Sequence, residues 1–365
     1  MTGVRRTMSV SADTSTVIEI AGLKTHFKLD EGLLRAVDGV DLSVAKNKTL
    51  GIIGESGCGK SVTAQSILQI VPSPGRITDG RILFRSGRGL DVDPLDASPS
   101  GDNERVVDIA RLSPTGEEMR KIRGREIGIV FQEPMTSLSP VHTIGSQIAE
   151  TVVLHEHRTK AEARELTIEM LTKVGISNPS QRVDEYPHQL SGGMRQRAMI
   201  AMALICHPSL LLADEPTTAL DVTVQAQIIE LTKSLQAQFN MAIIYITHDL
   251  GVIADVADEV AVMYLGRVVE QAPARTIFRH PLHPYTRRLL KSIPKLGAKA
   301  REPLDVIPGN VPIPIDLPPM CGFCSRCSDR IAGVCDRSIP ALVELEDGHR
   351  VRCFLHSDAK ELVDG

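Results

Sequence analysis

Hydrophobic positions along the chain fall into two kinds of short run, and each predicts a different element. Residues 17–20, 24–27 and 35–44 interleave apolar with polar side chains, the pattern of strands with one wet face, and together predict a small antiparallel sheet. Residues 49–53, 127–131, 210–213 and 242–246 are almost wholly apolar and predict strands buried in an open α/β sheet. A further strand is expected at 80–84. Helix-like spacing runs through 62–68, 117–123, 144–155, 160–174 and 198–206. Between 134 and 187 strand signals stop, which predicts a helical insertion between core strands. Two stretches carry neither period. Residues 86–103, rich in Gly, Ser, Pro and Asp, predict a surface loop without chemistry, and proline-rich 295–319 predicts extended chain running over a surface.

Polar chemistry gathers where the buried runs end. Gly54-Glu55-Ser56-Gly57-Cys58-Gly59-Lys60-Ser61 lies between the strand at 49–53 and the helix at 62–68, and fits the phosphate-binding pattern G-x-x-x-x-G-K-[ST]. Its glycines let backbone N–H groups approach phosphate oxygens, and the helix start adds positive potential. Lys60 then reaches the β- and γ-phosphates and Ser61 ligates Mg²⁺. Asp214 and Glu215 close the run at 210–213. Neighbours at a strand end point in different directions, so Asp214 suits the metal shell and Glu215 suits taking a proton from an attacking water. His248 ends the run at 242–246 and is either a structural histidine or a γ-phosphate contact. Gln132 follows 127–131, where open sheets place ligand-facing groups. Ser191-Gly192-Gly193 reads as an N-cap and a second glycine-rich helix start, either another phosphate site or an ordinary capped helix. Phe27 is half-buried core or a ring for stacking on adenine.

Composition narrows the class. The 365 residues, 42% of them hydrophobic, suffice for one full-sized domain and a smaller appendage. A formal net charge of −4 gives no basic field for nucleic acid. No apolar run reaches the roughly 18–20 residues needed to cross a bilayer. Residues 1–16 are polar and lack a secretory segment, so a disordered tail on a cytoplasmic protein is expected. In that setting seven cysteines argue for metal or cluster chemistry before disulfides.

In order along the chain, residues 54–61, Gln132, residues 190–197, residues 210–215, Ala219-Leu220-Asp221 and His248 resemble the Walker A, Q-loop, signature, Walker B, D-loop and switch histidine of ABC transporter ATP-binding subunits. Gln132-Glu133-Pro134-Met135-Thr136-Ser137-Leu138, residues 213–227 and residues 278–287 are similar to the dipeptide/oligopeptide/nickel importer ATPases. Two departures, the long 86–103 loop and Ser139 where asparagine is common, lie away from the nucleotide motifs. The resemblance implies an α/β fold with a RecA-like P-loop ATPase core, an antiparallel β subdomain, a helical insertion and a small C-terminal cysteine-rich domain. It divides the chain into a tail at 1–16, an ATPase domain at 17–280 with its helical part near 134–187, and an extension at 281–365. It implies ATP bound by residues 54–61, Phe27, Gln132 and Asp214, with Ser191, Gly192, Gly193 and Asp221 serving nucleotide across a head-to-tail dimer. Ser61, Gln132 and Asp214 would hold Mg²⁺, and Glu215, His248 and Gln132 would be catalytic. The implied partners are a second, different ATPase, two membrane permeases and an external solute-binding protein, with no nucleic acid and membrane contact only through the permeases. The implied place is the cytoplasmic face of the inner membrane, and the implied work is peptide import. Alternatives are nickel or another small solute, or a non-transport ABC ATPase acting on ribosomes or nucleic acid.

The tail holds Cys321, Cys324, Cys327, Cys335 and Cys353 in a region poor in other core formers, which argues for a site that folds it. A cytoplasmic setting disfavours disulfides, and structural zinc is the rival. The Cys321-x₂-Cys324-x₂-Cys327 run, shared with bacterial ferredoxins, favours an iron–sulfur cluster of the [4Fe–4S] type. The importer family's cysteine-bearing tail implies Cys321, Cys327, Cys335 and Cys353 as ligands and Cys324 as a spare or alternate.

Overall fold

The computed structural model describes residues 15–86, 105–132, 137–218, 220–292, 307–345 and 348–357. The expected tail up to residue 14, most of the 86–103 loop, residues 133–136, Ala219 and the 295–306 part of the proline-rich stretch lie outside the described residues.

Twelve strands are described: β1 (Thr16–Leu29), β2 (Gly32–Ala45), β3 (Thr49–Ile53), β4 (Gly75–Ser86), β5 (Arg105–Asp108), β6 (Ile127–Val130), β7 (Leu210–Asp214), β8 (Ala242–Ile246), β9 (Glu259–Tyr264), β10 (Arg267–Pro273), β11 (Val343–Glu344) and β12 (Arg350–Val351). Four make an antiparallel sheet ordered β2-β1-β4-β5, and eight make a mixed sheet ordered β11-β12-β10-β9-β3-β8-β7-β6. Within the larger sheet β9-β3-β8-β7-β6 run parallel.

The expected strands at 17–20 and 24–27 are one strand, β1. Its register against β2 shifts between Ile20 and Leu23, at Gly22, whose φ of 59° is left-handed backbone that glycine adopts without strain. The apolar runs are buried on both faces, as their composition requires. Leu210 and Leu212 of β7 face the apolar layer beneath β1 and β2, while Leu211 and Ala213 face the layer beneath the helices.

Residues 137–187 carry Ile144–Glu156, Lys160–Lys173 and Pro179–Arg182 and no strand among the described residues. Thr143 caps the first helix and a Thr159/Glu162 capping box starts the second. Helices Gly192–Leu204 and Val222–Phe239 flank β7 in sequence.

The C-terminal segment has a small apolar cluster of its own, Cys324, Cys335 and Phe354 with Cys321 packed against it, and is also joined to the main body. Its strand β12 pairs antiparallel with β10 through Glu270↔Val351 and Gln271↔Arg350, so it lengthens the main sheet. Ile307 and Phe323 are buried in the main core. The proline-rich segment joins β2 through a bridge between Leu34 and Ile315 and a hydrogen bond from the Arg35 N–H to the Pro314 carbonyl at 2.9 Å.

Candidate nucleotide site

β3 delivers the glycine-rich loop to the start of helix Lys60–Ile67. Gly59 sits at φ 101°, where a Cβ would run into the Ala36 carbonyl, so only glycine lets β2 pass this close. Gly59 has no side chain to cap the helix, and the first-turn N–H groups point out of it uncapped. Lys60 is buried under the loop, its Nζ donating to the Gly54 carbonyl at 2.8 Å and the Glu55 carbonyl at 3.1 Å. Cys58 is buried, and that burial pushes its thiol pKa up against the pull of Lys60.

β7 brings Asp214 to the same place, and the Ser61 hydroxyl donates to Asp214 Oδ1 at 3.1 Å. Burial raises the Asp214 carboxyl above its ordinary range, with the Ser61 hydrogen bond and Lys60 charge opposing. A buried carboxylate beside a hydroxyl at a helix start is a donor set for a hard divalent cation, so these residues fit Mg²⁺.

Glu215 turns the other way. Its backbone is left-handed, φ 48°, an uncommon state for a residue with a side chain, and its N–H is held by the Ile246 carbonyl of β8 at 2.8 Å. The turned carboxylate accepts from Gln132 Nε2 and Thr218 Oγ1, each at 3.0 Å, and lies 3.1 Å from His248 Nδ1. Glu215 is 12% exposed and His248 62%, so the histidine reaches toward solvent while the carboxylate is sheltered. Gln132, expected among the Mg²⁺ ligands, turns its amide nitrogen to Glu215 here. The Ser61–Asp214 and Gln132–Glu215–His248 groups thus meet at the ends of β3, β6, β7 and β8.

A cleft of about 510 Å³ adjoins this group at His248, lined by Gly54 and Ser56 of the loop and, as a second wall, by Gly309, Asn310 and Val311 of the C-terminal segment. Sequence reasoning missed that second wall. Phe27 is half-buried on β1, its ring covering Gly75, and Thr25 two residues before it is 2.8 Å from Ser66 on the phosphate-loop helix.

Ser191 is the N-cap of helix Gly192–Leu204, its Oγ accepting from the Met194 N–H at 3.3 Å. Ser191 and Gly192 are exposed, and nothing lies within 4 Å of where a Gly192 Cβ would be. Gly193 lies against Val224 of the next helix, which Asp221 caps through the Val224 N–H at 2.9 Å. Their hydrogen bonds tie this group to its own helices rather than to Lys60 or Asp214.

The five tail cysteines lie within electrostatic reach of one another, and no disulfide joins them. Burial pushes Cys321 up to about 12 and raises Cys324, Cys327 and Cys353, with neighbouring thiols adding to each shift. Thiols are the right donors for iron–sulfur or zinc. Yet among the described residues no three His, Cys, Asp or Glu side chains are placed to share one ion, so the four-cysteine cage expected for a [4Fe–4S] cluster or Zn²⁺ is not formed in this arrangement. Between these cysteines stands Arg326, whose Nη1 and Nη2 donate to the two carboxylate oxygens of Glu55 at 2.8 and 3.0 Å.

A strand, phosphate loop and helix with two carboxylates at the adjoining strand end define a P-loop nucleotide hydrolase. Residues 37–218 match the model for ABC transporters, and residues 269–335 match that for the oligopeptide/dipeptide transporter C-terminal region. The chain is 47% identical to the oligopeptide transport ATP-binding protein AppD of Bacillus subtilis, over 94% of this chain and 98% of that one. It is 46% identical to the dipeptide transport ATP-binding protein DppD of the same organism, over 94% and 96%. Among solved structures, the dimeric ATP-binding cassette MJ0796 bound to ADP and Pi superposes with a TM-score of 0.58 at 25% identity, covering 71% of this chain and 99% of that one. This chain belongs to the ABC transporter family of ATPases.

Proposed function

We propose that this chain is the ATP-hydrolysing subunit that powers an ABC importer of di- or oligopeptides. The observation that carries it is the meeting of Ser61 and Asp214, beside Lys60, with Gln132, Glu215 and His248 at adjoining strand ends, in a chain whose relatives are named for peptide transport.

In this reading the loop N–H groups of 54–61 and the Lys60 ammonium bind the ATP phosphates, once Lys60 exchanges the loop carbonyls for phosphate oxygens. Phe27 stacks on the adenine. Ser61, Asp214 and Gln132 hold Mg²⁺, which when bound draws charge from the β- and γ-phosphates. Glu215 orients the attacking water and takes its proton, while Gln132 and His248 fix the carboxylate and His248 senses the γ-phosphate. Ser191, Gly192 and Gly193 serve the nucleotide of a second ATPase, and Asp221 lies at that junction.

Residues 17–280 form the nucleotide-binding body, with 134–187 as the arm that docks on permeases, and 281–365 the extension. No described helix is long and apolar enough to cross a membrane. The chain attaches at the cytoplasmic face through two permease subunits, with an external binding protein choosing the solute, a reading supported by relatives named as transport ATP-binding proteins. The thiol-only donors and ferredoxin-like spacing support a [4Fe–4S] cluster, or zinc, in the tail, and the side-chain placement counts against either. Iron and zinc determination on anaerobically purified protein decides: stoichiometric iron supports the cluster and a metal-free folded protein overturns it.

The function itself is tested by co-purifying the chain with its permeases and measuring peptide-dependent ATP hydrolysis in vesicles. Hydrolysis stimulated by peptide with its binding protein supports the reading. Association with ribosomes or DNA instead of permeases would sink it.

A further inference from the structure

Glu55, second residue of the phosphate loop, is held from outside the loop at both its ends. Its backbone N–H donates to the Tyr285 hydroxyl at 2.9 Å. Its carboxylate is gripped by the Arg326 fork, 271 residues further along the chain. Arg326 is itself fixed: Nε donates to the Pro308 carbonyl at 3.0 Å, Nη2 to the Gly309 carbonyl at 3.1 Å, and Nη1 to the Tyr264 hydroxyl at 3.3 Å. Its guanidinium also lies over the Tyr264 ring, 5.8 Å from the centroid. The Arg326 side chain is 5% exposed and that of Glu55 26%, so the guanidinium is sheltered while the carboxylate keeps some contact with water, and the bidentate fork is geometrically exacting. The backbone that Arg326 holds at Gly309 continues into Asn310 and Val311, the far wall of the cleft.

The charges explain why such a clamp belongs here. A free carboxylate on the phosphate loop would repel the incoming polyphosphate, and an unanchored Glu55 would let the first peptide units of the loop turn away from it. Arg326 removes both faults together without approaching the ligand.

We propose that the C-terminal cysteine segment is a working part of this chain's own nucleotide site, with Arg326 a positioning residue that holds the phosphate loop in its binding shape through Glu55. The inference rests on the ATP site proposed above. It makes the placement of the tail around Arg326, held at Pro308, Gly309 and Tyr264, a determinant of ATP affinity.

The test is equilibrium ATP binding to the full chain by calorimetry, with thermal melting alongside. Arg326→Gln should raise the dissociation constant about tenfold, as loss of a charge-assisted pair predicts, and Arg326→Lys, which keeps the charge but not the fork, about threefold. Pairing Arg326→Gln with Glu55→Gln should cost no more than Arg326→Gln alone, because both changes break the same pair, whereas a role for Arg326 that does not run through Glu55 would make the two losses multiply. In turnover KM for ATP should rise with kcat little changed, because Arg326 does not touch reacting atoms. A folded Arg326→Gln protein with parental affinity, or a double variant whose loss is the product of the two single losses, would overturn the clamp. If Arg326→Gln does not fold, Arg326→Lys decides, and parental affinity there overturns it equally. Failure of the underlying ATP site looks different: Lys60→Ala would then bind ATP as the parent does, and both readings would fall.

Discussion

Two glycine-rich helix starts in this chain, at Gly59-Lys60 and at Ser191-Gly192, began with the same sequence logic and end in opposite surroundings. The first is enclosed. Lys60 is buried, Asp214 and Glu215 stand at the neighbouring strand end, and the C-terminal segment closes the far side of the cleft. The second is bare: its N-cap is satisfied by its own helix, Gly192 faces open space, and no cation or carboxylate of the first group bonds to it. A helix start alone supplies partial positive charge and free N–H groups, and everything that turns binding into hydrolysis comes from other strands. The chain thus carries one furnished half-site and one unfurnished one, the arrangement expected if the bare start completes a nucleotide site on another subunit.

Several substitutions press on that contrast. Glu215→Gln should leave ATP binding intact and slow hydrolysis in the assembled transporter by about 10²-fold or more, the size expected for a lost general base. Parental turnover there would remove Glu215 from its role. Lys60→Ala should weaken ATP binding to the isolated chain by about 10- to 100-fold, through loss of charge-assisted hydrogen bonds. Gly192→Val should lower turnover of the assembled pair by about tenfold while ATP affinity of the isolated chain stays within about twofold, since its effect is on the other subunit's nucleotide. If affinity in the isolated chain fell instead, the two starts would serve one site. The smallest effect separates the starts by charge. Asp214 has a folded pKa above its unfolded one, so its ionised form opposes folding at neutral pH, and that penalty fades as pH falls through the raised pKa toward the ordinary carboxylate range. In metal-free protein Asp214→Asn should therefore raise Tm slightly at pH 7, with the gap closing on acidification. Ser191→Ala should show no such pH-dependent gap.

What the sequence made legible was what is local in it. The loop 54–61, the Asp214-Glu215 pair and the apolar strands each declare themselves within eight residues or fewer, because strand burial and helix-start geometry are short-range demands. The divergence of Asp214 from Glu215 was also foreseeable, though its means, the left-handed backbone at Glu215, was not. β9 and β10 went unread although Glu259–Tyr264 is apolar after its first residue, since no motif marked their ends. The Arg326–Glu55 fork was beyond reach. Charged side chains so far apart in sequence carry no periodic signal, and only the seating of Arg326 against Pro308, Gly309 and Tyr264 brings them together.

The short hairpin of β11 and β12 has a bearing on solubility. β12 covers the edge of β10, and His349, between the two short strands, pairs with the fully buried Glu270 at 2.8 Å. A chain cut after residue 292 would leave Glu270 a buried carboxylate without that partner and would open the β10 edge, with its unpaired N–H and carbonyl groups, to strands of other molecules. Intact, the sheet ends instead in a strand of two residues, too short to template another. The C-terminal hairpin thereby guards the cassette against edge-to-edge aggregation, a service independent of ATP.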